Sequence, residues 1–536
     1  MSSAAEVLDG HVTLDIECLD RIYLNGYVPG LQVGGQVVSF MRSHLGQRIP
    51  SPAVFQKLGD RFRKEVRQFA EDQGIPFIQV KKGERKIDLV RPMFRSAERE
   101  GRFSVVAILT AQEYQNVFAA YRREQPTPGG LPFFNFVKAD RRVTCFYFYV
   151  FDREFGPGFI KICSYFPYPI KVWCNGHEWA KRQACKEGLE FQPLSNGFAS
   201  CENPEALQKI CSRLDAKEIQ NFFQRWMAVL PAPLTAEDQK AGYGWELSMR
   251  QIEVARTLVF SAPRHARTFV ESLVRDNMGI GRPHEVELIF TGKPVRLGRP
   301  RTVNAETFKT KIVTRGVDVT VNIFYKKSRM KQYLKEGRAL RIEFVVNAPG
   351  DLRVQRRLKN LPELLEKALE ANRRILHYQH AGQDCAIGPT LFERIQQPYV
   401  WEGHRTGALR FGDLRVMALA GALCHLLNAM TGFTNRSLRA RVAALLGQDF
   451  SARQMTYDLR RLRLHGLIEK VQGHTYQLTA DGLRFAIFYS KLADRVMTPI
   501  FDLDRPNASR DLRKALTSIE RSIDDSFKRA GLPCAA

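Results

Sequence analysis

A dense aromatic segment limits the folds open to this chain more than any other feature. From Phe133 to Trp179, 15 of 47 residues are Phe, Tyr or Trp. Residues 143–151, 159–166 and 170–173 have the composition of strands, and tight Gly-Pro turns separate them. Short aromatic strands joined in this way predict an antiparallel meander. We expect most of these rings to pack in a core, although exposed rings on such a sheet can also stack on nucleic acid bases.

The charge balance narrows the choice of partners. The chain has 81 Lys and Arg residues against 56 Asp and Glu, a net charge of +25. Such an excess attracts polyanions, which favours nucleic acid or an acidic membrane surface, although some basic proteins have neither partner. Residues 293–341 form the densest basic run, with 14 Lys and Arg and three acids. The nucleic-acid-binding candidates in this run are Arg299, Arg301, Lys326, Lys327 and Lys331.

Several classes of protein are disfavoured by what the sequence lacks. It has no run of 18 apolar residues and no apolar core near Met1, which predicts a cytoplasmic protein without a transmembrane segment or secretory signal. Its ten cysteines form no Cys-x-x-Cys pair, so we expect small buried thiols rather than a zinc module. Phosphate-binding loops, nucleophile elbows and dinucleotide-binding glycine motifs are absent, which disfavours an ATP-driven motor or a dehydrogenase.

Local patterns predict further elements in the first 380 residues. The spacing of apolar residues predicts a helix that begins at Ser51-Pro52. Strands are predicted at 77–80 and 87–90, and helices at 245–260, 263–276, 328–336 and 361–377. A weak internal repeat aligns residues 181–188 with 330–337, at an offset of 149. Two related α+β halves or chance would explain this repeat, and chance is favoured slightly.

Residues 407–490 have a different pattern. A helical stretch ends at Gly432, and two further helices end at Gly447 and Gly466. Ser451 is in position to cap the second of these two helices. Two short strands and a final helix follow, which gives the order helix, helix, helix, hairpin, helix.

This order, with the sequences RRLRLHGLI (460–468) and YQLTADG (476–482), resembles the winged helix-turn-helix DNA-binding domains of bacterial regulators. In that family the helix before the hairpin enters the major groove and the hairpin lies on the phosphate backbone. The resemblance therefore implies duplex DNA as the partner, unless the domain contacts a protein instead. The residues at the implied interface are Arg453, Thr456, Tyr457, Arg460, Arg461, Arg463, Lys470 and His474.

A His–Glu pair is the first candidate for catalysis. His177 and Glu178 lie at the predicted start of a helix, where they could exchange protons or hold a metal ion. The second His of a zincin motif is missing, so a solvated surface pair is the alternative.

A second candidate lies in the central basic run. The segments Phe324-Tyr325-Lys326 and Leu340-Arg341-Ile342-Glu343, with Tyr333 between them, resemble part of the rolling-circle replication initiators of plasmids and filamentous phages. The resemblance covers about 20 residues and implies that Tyr325 or Tyr333 attacks a DNA phosphodiester, with Glu343 as a ligand of Mg²⁺ or Mn²⁺. The paired histidines of many initiators are missing, and an ordinary ion pair between Arg341 and Glu343 is the alternative.

The sequence therefore predicts a multidomain α+β protein with mixed or antiparallel sheets, helices and a C-terminal winged helix. The expected regions are 1–125, 133–290, 291–406, 407–500 and a helical tail at 501–536. The expected function is DNA binding, in replication initiation or transcription control. The alternatives are a metal-dependent DNA nicking enzyme, with Mg²⁺ or Mn²⁺ as its cofactor, and a protein scaffold. The sequence assigns no other cofactor and no oligomeric state.

Overall fold

The computed structural model describes most of the chain: residues 10–122, 133–277, 285–289, 309–315, 318–381, 387–401, 403–425, 428, 432–493 and a few isolated residues from 497 to 525. The chain divides into two compact units. The sheet unit comprises Val7–Val270 and Val286–Arg373, and the C-terminal unit comprises mainly Arg374–Ala536. A twelve-stranded sheet and several small two-stranded sheets accompany the helices, which confirms the α+β, multidomain class.

The predicted aromatic meander is present in the first half of the sheet unit. The elements are β1 (Val12–Tyr27), α1 (Gly34–Ser39), α2 (Pro52–Asp72), β2 (Phe77–Gln79), α3 (Lys86–Arg99), β3 (Val105–Arg122), β4 (Phe134–Asp152), β5 (Gly156–Cys163) and β6 (Ile170–Asn175). The strand predicted at 87–90 is wrong, because these residues lie in α3. That helix buries Val90, Phe94 and Ala97 at helical spacing against the sheet.

The next segment leads from the meander to the second half of the sheet. Its elements are α4 (Gly176–Lys186), β7 (Phe191–Leu194), β8 (Gly197–Cys201), α5 (Pro204–Ser212), α6 (Ala216–Met227), α7 (Ala236–Lys240) and β9 (Glu246–Phe260). The helix predicted at 245–260 is wrong, because this segment is the central strand β9. Its inner part is buried on both faces, so it lacks the alternation that distinguishes a strand from a helix.

The second half of the sheet has its own meander. Its elements are α8 (Pro263–Asn277), β10 (Glu285–Ile289), β11 (Lys309–Arg315), β12 (Asp318–Tyr325), β13 (Ser328–Lys335), β14 (Ala339–Val346) and α9 (Leu361–Ala381). The predicted helix at 328–336 is wrong, because β13 pairs with a strand on each side. Ser328, Met330 and Gln332 are buried at a period of two, which is a strand pattern.

The order of strands shows a topological repeat. It is β10-β11-β12-β13-β14-β9-β1-β6-β5-β4-β3-β2, so β1 and β9 lie side by side at the centre. Each of them is followed by one or more helices, an edge strand and a four-stranded meander whose last strand returns to it. The weak sequence repeat does not mark this symmetry. Its two copies, 181–188 and 330–337, fall mainly in α4 and β13, which are not equivalent.

The single sheet draws strands from three of the five expected regions, 1–125, 133–290 and 291–406. One of its faces is fully buried at the centre, where Leu24, Val172 and Phe344 have no solvent exposure. The alternate side chains point to the other face and include Tyr23, Trp173 and Lys331, which are only half-buried. This second, half-buried face is called the polar face below.

The C-terminal unit contains the predicted order of elements. They are α10 (Pro389–Gln396), β15 (Tyr399–Trp401), β16 (His404–Thr406), α11 (Leu414–Leu423), α12 (Asn435–Leu446), α13 (Ala452–Leu464), β17 (Ile468–Gln472), β18 (Thr475–Leu478) and α14 (Ala480–Leu492). Ser451 caps α13 in a reciprocal capping box with Gln454, as predicted. Within the described ranges, every helix is too short or too polar to span a lipid bilayer.

Candidate functional site

Helix α13 presents a basic stripe to solvent. Met455, Leu459 and Leu462 are buried at helical spacing, which turns the opposite side of the helix outward. The outward residues are all exposed: Arg453, Thr456, Tyr457, Arg460 and Arg463. In the described part of the chain no carboxylate pairs with the three arginines. Among the described residues, Arg460 makes a polar contact with Nδ1 of His404 at 3.4 Å. These guanidinium groups are therefore available to an anionic partner.

Arg461 does not belong to this stripe, and its predicted place at a nucleic acid interface is wrong. Its side chain is buried, and its Nε donates to the carbonyl oxygen of Gly407 at 3.1 Å. Its Nη1 lies 3.8 Å from the buried carboxylate of Asp458, which also pairs with Arg415 at 2.8 Å. Arg461 and Asp458 thus hold α13 against its neighbours.

The hairpin after α13 places two more of the predicted residues in solvent. Lys470 lies on β17 and His474 lies in the turn before β18, and both are exposed. The hairpin is joined to the chain before α12 by paired backbone hydrogen bonds between Phe433 and Tyr476. The hairpin therefore offers a cation and an imidazole beside the basic stripe.

The central basic run divides into residues with different environments. Arg299 and Arg301 lie outside the described residues. Lys326 and Lys327 are exposed in the turn between β12 and β13. Lys331 is only 19% exposed, and its Nζ lies 3.3 Å from Glu343 Oε2. Glu343 therefore compensates part of its charge, and its role in nucleic acid binding stays a prediction.

A buried cluster of charged side chains lies on the polar face of the sheet. Arg341 on β14 is completely buried, with Asp20 Oδ2 2.8 Å from its Nη2 and Glu343 Oε1 2.9 Å from its Nε. His177 at the start of α4 contacts Asp20 through Nδ1 at 3.3 Å. Asn196, in the turn between β7 and β8, donates to Asp20 at 2.7 Å. The fold therefore brings together residues from distant segments around one guanidinium.

The pKa shifts in this cluster follow from burial and from its charges. Burial alone would raise the pKa of Asp20, but His177 and Arg341 outweigh it and hold this pKa well below its usual range. Burial, with Arg341 nearby, lowers the pKa of His177, so the imidazole is neutral at pH 7. Burial raises the pKa of Glu253, against the opposing effect of Lys331 and Arg21. The positive and negative charges of the cluster are thus nearly equal. Glu253 is the carboxylate whose charged form is least stabilised.

Three of the four predicted catalytic residues meet in this cluster. Tyr333 on β13 donates to Glu343 Oε1 at 2.7 Å, and His177 lies on the other side of Arg341. Burial and the adjacent carboxylate raise the pKa of Tyr333, so its hydroxyl stays protonated at neutral pH. Glu178 is not part of the cluster, because its carboxylate pairs with Lys181 at 2.8 Å.

Asp20 and Glu253 are members of the cluster that sequence reasoning missed. Oxygen atoms of Asp20, Glu253 and Glu343 lie within 4.8 Å of one another, a spacing that fits a metal ion. One oxygen of Glu253 accepts from Gln251 at 2.7 Å. The other lies 3.8 Å from Arg21 Nη1 and has no hydrogen-bond donor among the described residues. Asp20 shares β1 with Asp15 and Glu17, so no signal in the sequence singled it out. Glu253 carried no usable signal, because its segment was predicted as a helix.

The cysteines fit the expected small thiols. None of the eight that the structure describes forms a disulfide, and six of them are buried. Comparison of the whole chain with protein-family models, curated proteins and solved structures found no match in any of the three. The function must therefore be inferred from the chemistry of the residues themselves.

Proposed function

We propose that this protein binds double-stranded DNA through α13, with the β17–β18 hairpin beside the phosphate backbone. The supporting observation is the stripe of exposed residues on α13, in which Arg453, Arg460 and Arg463 have no carboxylate partner among the described residues. Guanidinium groups bind guanine edges and phosphates, and Thr and Tyr hydroxyls bind phosphates. A cytoplasmic location is part of this proposal.

The dimensions of the helix agree with this function. A helix with its side chains is about 10–12 Å in diameter, which fits a major groove about 12 Å wide, and the 13 residues of α13 give a length of about 20 Å. The order of α11, α12, α13 and a two-stranded hairpin is that of winged-helix domains, in which the helix before the hairpin reads the groove. We therefore assign groove contact to α13 and backbone contact to Lys470 and His474.

The test compares two triple variants of the full chain. Arg453→Gln, Arg460→Gln and Arg463→Gln together should weaken binding to a fluorescent duplex by at least about 100-fold, since each contact contributes roughly 1–3 kcal/mol. The control carries Arg91→Gln, Arg95→Gln and Arg99→Gln on α3, which removes three exposed arginines from the sheet unit. The control should bind within about threefold of the wild type.

Two outcomes would overturn this proposal. Equal losses in both variants would show that net charge, rather than α13, governs binding. No duplex binding by the wild type at low salt would favour the alternative, in which the C-terminal unit contacts a protein.

A second candidate function is DNA nicking at the buried cluster. It is favoured by the convergence of Tyr333, Glu343 and His177 with Asp20 and Glu253, although Arg341 and Lys331 already neutralise much of the negative charge. In this reaction the Tyr333 oxygen would form a bond to phosphorus and give its proton to Glu343. The bond from phosphorus to the leaving sugar oxygen would break, and that oxygen would take up a proton from water. A bound Mg²⁺ or Mn²⁺ would supply charge neutralisation.

The nicking reaction is tested on supercoiled plasmid with Mg²⁺ or Mn²⁺. The wild type should nick the plasmid and become covalently linked to DNA, and Tyr333→Phe should abolish both results. Nicking that survives in Tyr333→Phe would exclude this nucleophile. Absence of nicking by the wild type on plasmid and on single strands would exclude the function.

A further inference from the structure

A row of aromatic side chains crosses the polar face of the sheet. Phe159 on β5, Trp173 on β6 and Tyr23 on β1 lie directly opposite one another in register. The Phe159 and Trp173 rings are nearly parallel, at 8° and with centroids 6.1 Å apart. The guanidinium of Arg250 lies over the Tyr23 ring at 5.4 Å. Three neighbouring strands therefore present their rings in one line.

A second row, polar and cationic, runs beside the first. Two residues along each strand, Lys161, Lys171 and Asn25 are aligned in the same register, and Ser248 on β9 continues the row. A backbone bridge joins Ser248 to Arg357, which is exposed. Two residues of a strand cover about 6.6 Å, so the rows are parallel and about that far apart. Glu113 neutralises Lys161, which leaves Lys171 and Arg357 along this row and Arg250 over the Tyr23 ring of the first row.

A cleft continues the cationic row at its β9 end. It has a volume of about 660 Å³, and its lining includes Tyr27, Ser248, Lys327, Arg356 and Arg357. The acid in this lining, Asp351, is already bound by the Ser328 hydroxyl at 2.7 Å and by the backbone N–H of Lys327 at 3.2 Å. The cleft is therefore suited to an anionic group.

The exposure of these side chains differs from that of their neighbours on the same strands. Phe159, Trp173 and Tyr23 are half-buried, whereas Ile160 and Val172, which point to the opposite face, are completely buried. Phe159 also packs on the buried rings of Tyr147 and Tyr149, so the row starts at the edge of an apolar cluster. From there Trp173 and Tyr23 continue the row as a partly exposed surface of the sheet unit.

We propose that the polar face binds single-stranded nucleic acid, with bases stacked on Phe159, Trp173 and Tyr23 and phosphates beside Lys171, Arg250 and Arg357. Aromatic rings accept any base, and cations beside them bind the backbone, which is the usual arrangement of sequence-tolerant single-strand binding. This site uses residues of the sheet unit only. It is therefore independent of the duplex-binding site proposed on α13.

The first test measures binding of a labelled oligothymidylate of about 12 nucleotides, a length within the range of known single-strand sites. Trp173→Leu with Phe159→Leu should weaken binding by at least about 30-fold, since each stacked base contributes roughly 1–3 kcal/mol. Trp226→Phe is the matched control on α6 and should bind as the wild type does. Unchanged binding by the leucine pair would overturn the proposal.

The second test removes charge without touching the rings, and it stands if the leucine pair fails to fold. Burial lowers the pKa of Lys171 to about 7, so the test is made at pH 6, where this group is mostly charged. Lys171→Gln with Arg250→Gln should then lower the slope of log affinity against log salt by about 1.4, at about 0.7 for each single-strand phosphate contact. Lys64→Gln with Arg67→Gln, two exposed cations on α2, is the control and should leave the slope unchanged. Equal changes in both pairs would overturn the proposal.

Two further measurements separate this site from α13 and identify the strand. The α13 triple variant should keep its oligothymidylate affinity while it loses duplex affinity, and loss of both would place single strands on α13 and overturn the proposal.

Iodide should quench the fluorescence of Trp173 in the full chain, and oligothymidylate should protect it. A shielded Trp173, seen as identical quenching in wild type and Trp173→Phe, would also overturn it. Tighter binding of oligouridylate would name RNA as the ligand, and tighter binding of oligothymidylate would name DNA.

Discussion

Arg341 lies in one segment of the sequence with an excess of basic residues, and the arginines of α13 lie in another. Their environments in the structure are opposite. Arg341 is fully buried and lies between the carboxylates of Asp20 and Glu343. Arg453, Arg460 and Arg463 are exposed, and no carboxylate in the described part of the chain pairs with them. A local excess of positive charge therefore describes two different things, an internal ion network and a surface available to polyanions.

The largest expected effect comes from the buried member of this comparison. Arg341→Met would leave Asp20 and Glu343 without their shared cation, so the free energy of unfolding should fall by about 3–5 kcal/mol in urea denaturation. The matched change Arg453→Met on α13 should alter it by less than about 0.5 kcal/mol. Equal effects of the two substitutions would contradict the contrast between the two regions.

A smaller effect is expected from Lys171, which is half-buried. Burial, with Arg250 and Lys161 nearby, lowers its pKa to about 7, whereas the unfolded chain has the usual value of about 10.4. Between these values the unfolded state binds more protons, so the contribution of Lys171 makes stability rise from pH 7 to pH 10. Lys171→Met should flatten this rise by about 2 kcal/mol, roughly half of the full shift, because the group keeps some solvent access. An identical pH dependence in both proteins would contradict the assignment.

The cap of α13 gives the next effect. Ser451→Ala removes the hydroxyl that accepts from the backbone N–H of Gln454 at 3.2 Å, and the free energy of unfolding of the C-terminal unit should fall by about 1 kcal/mol. Ser451→Asp, which can still cap, should keep the wild-type stability. A loss in Ser451→Asp as large as that in Ser451→Ala would show that the cap is not what stabilises this helix start.

The smallest effect on stability should come from the basic stripe itself. The Arg453→Gln, Arg460→Gln and Arg463→Gln triple variant should unfold within about 0.5 kcal/mol of the wild type, because exposed side chains without partners contribute little to folding. Its loss of duplex binding would then be a property of the surface rather than of the fold. A loss of several kcal/mol would contradict the exposed placement of these residues.

The sequence predicted the structure best where local sequence signals, such as caps and turn residues, agree with the environment of the residues in the fold. The caps and glycine stops of the C-terminal unit are local signals, so the order of elements from α11 to α14 and the Ser451 cap were predicted from them. The aromatic meander was also predicted, since β4, β5 and β6 are bounded by turn residues. The half-buried rings in its centre were treated mainly as core, because composition does not say which face of a sheet is covered.

The errors have physical causes that act at a distance. Strand β9 was predicted as a helix, because both of its faces are buried and its apolar run loses the period of two. Arg461 was predicted to contact nucleic acid, but the carbonyl oxygen of Gly407, which is distant in sequence, holds it inside. Tyr333 and Glu343 were predicted as one candidate site and His177 as part of another, and only the fold brings the two candidates together. Such pairings depend on strand order, which no local pattern contains.

The central claim is that the exposed arginines of α13 bind the phosphates and bases of duplex DNA. The most direct measurement is the dependence of duplex affinity on salt concentration for the wild type, the α13 triple variant and the α3 control. At about 0.9 for each contact, the slope of log affinity against log salt should fall by up to about 2.7 in the α13 variant and stay unchanged in the control. Equal slopes in all three proteins would contradict the claim.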